Sequence, residues 1–169
     1  MKKILFLLSI ALLSACSSTH ETDFSCPNVS MAPFFNRVER FSENSREFKA
    51  EIVGFEGYCR YDERSRKATA YIAPIFEITR YRPGYGSYQY VNEVRLRFFT
   101  DTSENKDGLG HATHAAALLV KEINKKTMVT GPSVEVGISY NNPDHKIKLG
   151  IVLSNAEYRE NLKLGLGAK

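Results

Sequence analysis

Through much of this chain apolar and polar residues alternate one for one, and a two-residue period fits only one regular backbone, a strand with one face buried. Phe48, Ala50 and Ile52 fall on one side of such a strand, with Lys49 and Glu51 on the other. Gly54 to Gly57 then has the composition of a turn, and Tyr58 to Asp62 reads as the returning strand of a hairpin, with Cys59 on it. Lys67 to Ile78 continues the alternation through Ala68, Ala70, Ile72 and Phe76. Pro74 has no amide hydrogen for a ladder, which points to an edge strand or a bulge. Val91 to Phe99 is the clearest strand, Val94, Leu96 and Phe98 alternating with Glu93, Arg95 and Arg97. Val134, Val136 and Ile138 alternate in turn, as do Ile147, Leu149, Ile151 and Leu153, and the turn residues Asn141 to Asp144 between them suggest a second hairpin.

Two stretches resist the period. Residues 28–46 carry Phe34, Phe35, Val38 and Phe41 at irregular spacing and read as a loop with at most a short strand. Ala115 to Ile123 is helical by its alanine content and strand-like by its neighbours; strand is the reading adopted. Nine tyrosines and ten phenylalanines agree with a strand-rich chain. The period changes at Ser154. Ser154 and Glu157 have the spacing of a capping box, with Leu153 and Tyr158 at staple positions, so a short helix to about Leu162 is predicted, then a frayed tail over 164–169. Short strands with turns every 8–12 residues describe an all-β, mainly antiparallel sandwich. The expectation is an immunoglobulin- or fibronectin-like domain of 6–8 strands over residues 26–163, closed by that helix.

The N-terminus has a different character. Lys2 and Lys3 precede the apolar run Ile4 to Leu13. A bilayer span needs about 20 apolar residues and this run supplies about ten, followed by small residues, as in a secretory signal peptide. Leu13-Ser14-Ala15-Cys16 resembles the bacterial lipobox. The resemblance implies cleavage after residue 15, a diacylglycerol thioether and an N-acyl chain (such as palmitate) on Cys16, and a flexible polar tether over 16–25. Two or more acyl chains anchor stably where one does not. Ser17 stands where an Asp would retain an enterobacterial lipoprotein in the inner membrane, so the outer membrane, facing the periplasm, is expected, with the outer leaflet of the inner membrane as the alternative.

Removing the first 15 of 169 residues leaves 154, one domain's worth, and takes Lys2 and Lys3 with it, lowering the formal net charge from +4 to +2. That balance is a weak argument for nucleic acid, and no nucleic-acid partner is expected. Three cysteines less a lipidated Cys16 leave Cys26 and Cys59, an even pair in an oxidising compartment. A bond between them would close a loop of about 34 residues, worth about 3–4 kcal/mol. Two free buried thiols are the alternative; a zinc site lacks its close spacing and histidine partners.

Cys26-Pro27, the segment Phe48-x-Ala50-x-Ile52-x-Gly54-x-x-Gly57-x-Cys59-x-Tyr61-Asp62, and Leu149-Gly150-Ile151-x-Leu153-Ser154 leading into Tyr158-x-x-Asn161 together resemble an uncharacterised family of small alphaproteobacterial envelope lipoproteins. The likeness spans most of residues 26–162 and departs from the family pattern between about 79 and 126. It implies a sandwich domain and pairing of Cys26 with Cys59, and it brings no catalytic residues.

Few residues invite a chemical reading. His111-x-x-His114 would share one face of a helix, but no third ligand or HExxH pattern accompanies it. Gly84-Tyr85-Gly86-Ser87-Tyr88 is not a nucleophile elbow, because position 89 is glutamine. The most distinctive surface candidate is the run from Arg80 to Tyr90, with Arg80, Tyr81, Arg82, Tyr85, Tyr88 and Tyr90, since tyrosine and arginine are enriched where proteins grip partners. The expectation is a non-enzymatic envelope lipoprotein with a protein partner, no catalytic or metal residues, and no cofactor beyond the lipid on Cys16. The alternatives are a glycan- or lipid-binding module using the Tyr81–Tyr90 loop and a metal-dependent hydrolase around His111 and His114.

Overall fold

The computed structural model describes residues 26–42, 45–62, 64–65, 67–82, 92–102, 110–139 and 146–165. Among them the alternation resolves into nine strands: β1 (Asn28–Met31), β2 (Arg37–Ser42), β3 (Ser45–Asp62), β4 (Lys67–Arg80), β5 (Glu93–Asp101), β6 (His111–Leu119), β7 (Lys126–Thr130), β8 (Val134–Ser139) and β9 (Lys146–Ile151). Helix α1 (Asn155–Lys163) follows. One sheet has the order β1-β9-β5-β6, the other β2-β3-β4-β7, with β8 also on β4. Strand partners run antiparallel except β1 and β9, which are parallel. The chain is therefore the all-β sandwich expected from its period.

β4 shows why the pattern works. Its even-numbered residues from Ala68 to Arg80 are buried and its odd-numbered ones are not. Ala68, Ala70, Ile72, Phe76 and Ile78 face the opposite sheet, which presents Val94, Leu96, Phe98, Ile147, Leu149 and Ile151. Phe76 and Phe98 meet edge to face across the sandwich at 6.1 Å. Each such side chain, fully removed from water, contributes about 1.5–3 kcal/mol.

Several local expectations give way to the tertiary structure. Gly54 to Gly57 is no turn: β3 runs unbroken for 18 residues and pairs with β4 from Phe48 to Asp62, with a bulge between Ile52 and Gly54. Gly57 is needed for a close approach, because a Cβ there would stand 2.6 Å from the Tyr71 carbonyl oxygen. The hairpin is β3–β4, and Asp62 at its turn accepts from the Arg64 amide and the Ser65 hydroxyl. β8 and β9 form no hairpin either. β8 lies on β4 in one sheet and β9 between β1 and β5 in the other. Asn141 to Asp144 lies outside the described residues. Pro74 sits on a central strand rather than at an edge. Its carbonyl accepts from the Gly131 amide at 2.7 Å. Since N and C=O of a strand residue point the same way, its missing donor faces the break between β7, on Ile75–Thr79, and β8, on Lys67–Ile72.

Residues 28–46 yield two strands, β1 and β2, which take the count past the 6–8 expected. Between them Phe34 has φ 66° and the Phe35 amide bonds the Ala32 carbonyl, closing a β-turn whose third residue is normally Gly or Asn. Packing offsets the strain. Phe35 stacks on Tyr158 of α1 at 5.0 Å and meets Phe99 edge-on at 5.6 Å. Gly150 lies beneath them, where a Cβ would meet the Phe99 ring and stand 2.9 Å from the Phe35 Cβ. Buried Asn161 of α1 donates to the carbonyls of Phe34 and Arg37, at 2.8 and 2.7 Å. Ser154 and Glu157 form the capping box read from their spacing. Of the strand expected over Ala115 to Ile123, Ala115–Leu119 belongs to β6, which starts earlier, at His111, and ends before Val120; Ile123 makes only an isolated bridge to Arg80.

Candidate functional site

Cys26 and Cys59 form a disulfide, their Cα atoms 5.8 Å apart. Cys26 lies two residues before the start of β1, at the edge of one sheet, and Cys59 lies on β3 of the other. The bond therefore staples the two sheets together at one edge and fixes the point at which residues before 26 join the sandwich. Cys16, the leader over 1–15 and the tether over 16–25 lie outside the described residues.

The Arg80–Tyr90 segment is divided by the structure. Arg80 is no surface residue: it is buried at the end of β4, and its Nη2 donates to Asn92 Oδ1 at 3.1 Å and to the Lys121 carbonyl at 3.0 Å. Its own carbonyl accepts from the Asn124 amide at 2.7 Å. Arg80 thus ties the end of β4 to the chain before β5 and after β6, a structural task that composition alone could not distinguish from binding. Tyr81 is half-buried, its amide bonded to the Glu47 carbonyl and its ring 5.1 Å beneath the Arg46 guanidinium. Arg82 is exposed. Tyr85, Tyr88 and Tyr90, like the Gly84–Ser87 sequence, lie outside the described residues.

His111 and His114 are on a strand, where residues three apart point to opposite faces. His114 faces inward, packs on Phe98 at 5.1 Å and shares a 3.1 Å hydrogen bond with Thr100 Oγ1. Burial, and secondarily the charge of His111, lowers its pKa from 6.5. His111 lies outward on Phe99 at 4.9 Å. The shared helical face that would join the two imidazoles is not formed. Among the described residues no group of three or more His, Cys, Asp or Glu side chains is placed to hold a metal.

Sequence reasoning missed the second half of β3. Its ladder to β2 ends at Glu51, with one further bond from the Ile52 amide to the Asn36 carbonyl. From Gly54 to Asp62 it pairs with β4 alone among the described residues. The register sorts this segment into two faces. Glu56, Tyr58 and Arg60 stand opposite Ala73, Tyr71 and Thr69 on the outer face; Phe55, Gly57, Cys59 and Tyr61 share the inner face with Pro74, Ile72, Ala70 and Ala68. Tyr58 is 64% exposed and stacks on Tyr71 at 4.8 Å, while Phe55 is 39% exposed. A shallow depression of about 360 Å³ at the hairpin tip is lined by Arg60, Tyr61, Asp62 and Arg64. There the Ser65 hydroxyl, the amides of Arg64 and Ser65 and the Arg60 charge hold the Asp62 carboxyl below its usual pKa. The glycines that suggested a turn are what concealed this edge in the sequence.

With this geometry in hand, comparison with known proteins finds no match among family models, curated proteins or solved structures. The functional reading rests on the chain's own residues.

Proposed function

We propose that this protein is a lipid-anchored lipoprotein of the bacterial cell envelope, held at the outer membrane and facing the periplasm, whose sandwich works through protein contacts rather than catalysis. The observation that carries the proposal is the Cys26–Cys59 disulfide. Disulfides persist in oxidising compartments, and the leader ending at the Leu13–Cys16 lipobox supplies a route to one. Acylation of Cys16 would then tether the domain through the short polar stretch up to Cys26. An interaction role is supported by what the domain presents to solvent: a long strand edge with exposed aromatic side chains, the kind of surface to which another chain can add by backbone pairing.

Palmitate labelling in cells, followed by mass spectrometry of the mature N-terminus, tests the anchor. The expected result is an acylated Cys16 at the N-terminus, with label lost and leader retained in a Cys16→Ser variant. An unmodified Cys16 thiol behind an intact leader would overturn the proposal. Crosslinking in cells tests the interaction role, and a protein recovered uncrosslinked under every condition would count against it.

A further inference from the structure

We infer that the tip of the β3–β4 hairpin, through Arg60, Arg64 and Lys67, docks on the anionic headgroups of the membrane to which the chain is anchored. Docking of this kind rests on the acylated Cys16 proposed above. It adds which end of the sandwich faces the bilayer and what holds it there.

Covalent connection chooses between the ends. Cys26 comes ten residues after Cys16, and ten residues span no more than about 35 Å even when fully extended. Cys26 is bonded to Cys59, three residues before Asp62 at the tip, or about 10 Å along the strand. The opposite turn, at Ser42 and Ser45, lies fourteen residues from Cys59, or about 45 Å along β3. With that turn on the bilayer, the disulfide would stand beyond the reach of its own anchor. With the hairpin tip on the bilayer, it stands well within reach.

Charge agrees with that choice. Residues 60–67 hold Arg60, Arg64, Arg66 and Lys67 against Asp62 and Glu63, a net charge of +2. Arg60, Arg64 and Lys67 are exposed, and among the described residues none of the three is in a salt bridge. Asp62 accepts from the Arg64 and Ser65 amides and from the Ser65 hydroxyl, so its oxygens serve the turn. Several cations toward the other end are matched instead: Arg46 with Glu39, Arg95 with Glu93 and Lys125 with Glu122. Farther up the outer face, Glu56 and Glu135 stand beside the Tyr58–Tyr71 stack. Laying that face flat would bring carboxylates against lipid phosphates. Guanidinium groups bind phosphate through two parallel hydrogen bonds. Each basic side chain near an anionic bilayer strengthens attachment about fivefold. Docked tip first, the sandwich holds the Ser42–Ser45 turn and the Arg80 end of β4 away from the membrane.

Arginine modification by a dicarbonyl reagent, read at each site by mass spectrometry, tests the docking. The full-length, processed protein is placed in vesicles of phosphatidylcholine with or without phosphatidylglycerol. Arg60 and Arg64 should react about fivefold more slowly on the anionic vesicles. Exposed Arg82, past the far end of β4, should react equally on both, and high salt should remove the difference at the tip. Acylation of Lys67 should be slowed in the same way. Arg60→Gln combined with Arg64→Gln, shown folded by thermal unfolding, should restore the Lys67 rate. Arg60 and Arg64 unaffected by phosphatidylglycerol, Arg82 slowed as much as they are, or Lys67 still slowed in the double variant would each overturn the inference. So would equal slowing by dissolved inorganic phosphate, which would assign the tip to a free anion. The same spectra report on Cys16. An unacylated chain that floats with neither vesicle would overturn the anchor and the docking together, whereas an acylated chain with fully reactive arginines would overturn the docking alone.

Discussion

The two halves of β3 share one backbone and one alternating pattern, yet they live in different surroundings. Residues 46–52 lie between β2 and β4, with Phe48, Ala50 and Ile52 buried in the core. Past the bulge at Val53 the strand keeps β4, has no β2 beside it, and exposes Phe55 and Tyr58. Alternation reports which face of a strand is buried and is silent about whether its edge has a neighbour. Stability should therefore concentrate in the first half and interaction in the second.

The largest contrast is between side chains in the two halves. Phe48→Ala, in the closed half, should cost about 3–5 kcal/mol in urea unfolding. Tyr58→Ala should cost only about 0.5–1.5 kcal/mol, the value of one exposed aromatic pair. Equal losses would place the open half inside a core and break the comparison. Next comes the staple. Replacing Cys26 and Cys59 together by serine should remove about 3–4 kcal/mol, and the accompanying loss of amide protection should fall first on residues 54–62. Protection lost first from 46–52 would reverse the assignment of the two halves.

The closed half also depends on what holds β2. Asn161→Ala strands two inward carbonyls, those of Phe34 and Arg37, and should cost about 1–3 kcal/mol, with exchange quickened in β2 and residues 46–52 but not in 54–62. The smallest effect is a pH dependence centred away from β3. The His114 pKa is lowered in the folded state, so the unfolded chain binds more protons. Stability from this group is fully present above about 6.5 and is lost as pH falls through the lower folded-state pKa. Melting followed from neutral to mildly acidic pH should show that slope, and His114→Gln should flatten it without altering the difference between the two halves of β3. A slope unchanged by the substitution would assign it to other groups.

What the sequence made legible was local and periodic. The faces of β4, β5, β8 and β9, the Ser154–Glu157 cap and the strand character of Ala115–Leu119 could be read because each follows from spacing. What escaped depends on partners distant in the chain. Gly54 and Gly57 look like turn residues, and only the approach of the Tyr71 carbonyl shows why Gly57 has no side chain. β8 and β9 look like a hairpin because alternation cannot say which sheet a strand joins. Phe34 in a left-handed turn had no sequence signal, since its conformation is held by Asn161 from more than a hundred residues away. Of the surface candidates, Arg80 resembled a binding residue because an arginine that serves the fold through Asn92 and the Lys121 carbonyl has the same spelling as one that grips a partner.

Residue-resolved amide exchange of β3 tests the division of this strand most directly. The account predicts slow exchange throughout residues 46–52. It predicts protection of only every second amide over 54–60, where β4 lies on one side of the strand and β2 does not lie on the other. Fast exchange of consecutive amides from Gly54 to Gly57, as in a turn, or full protection of 54–60 would contradict it.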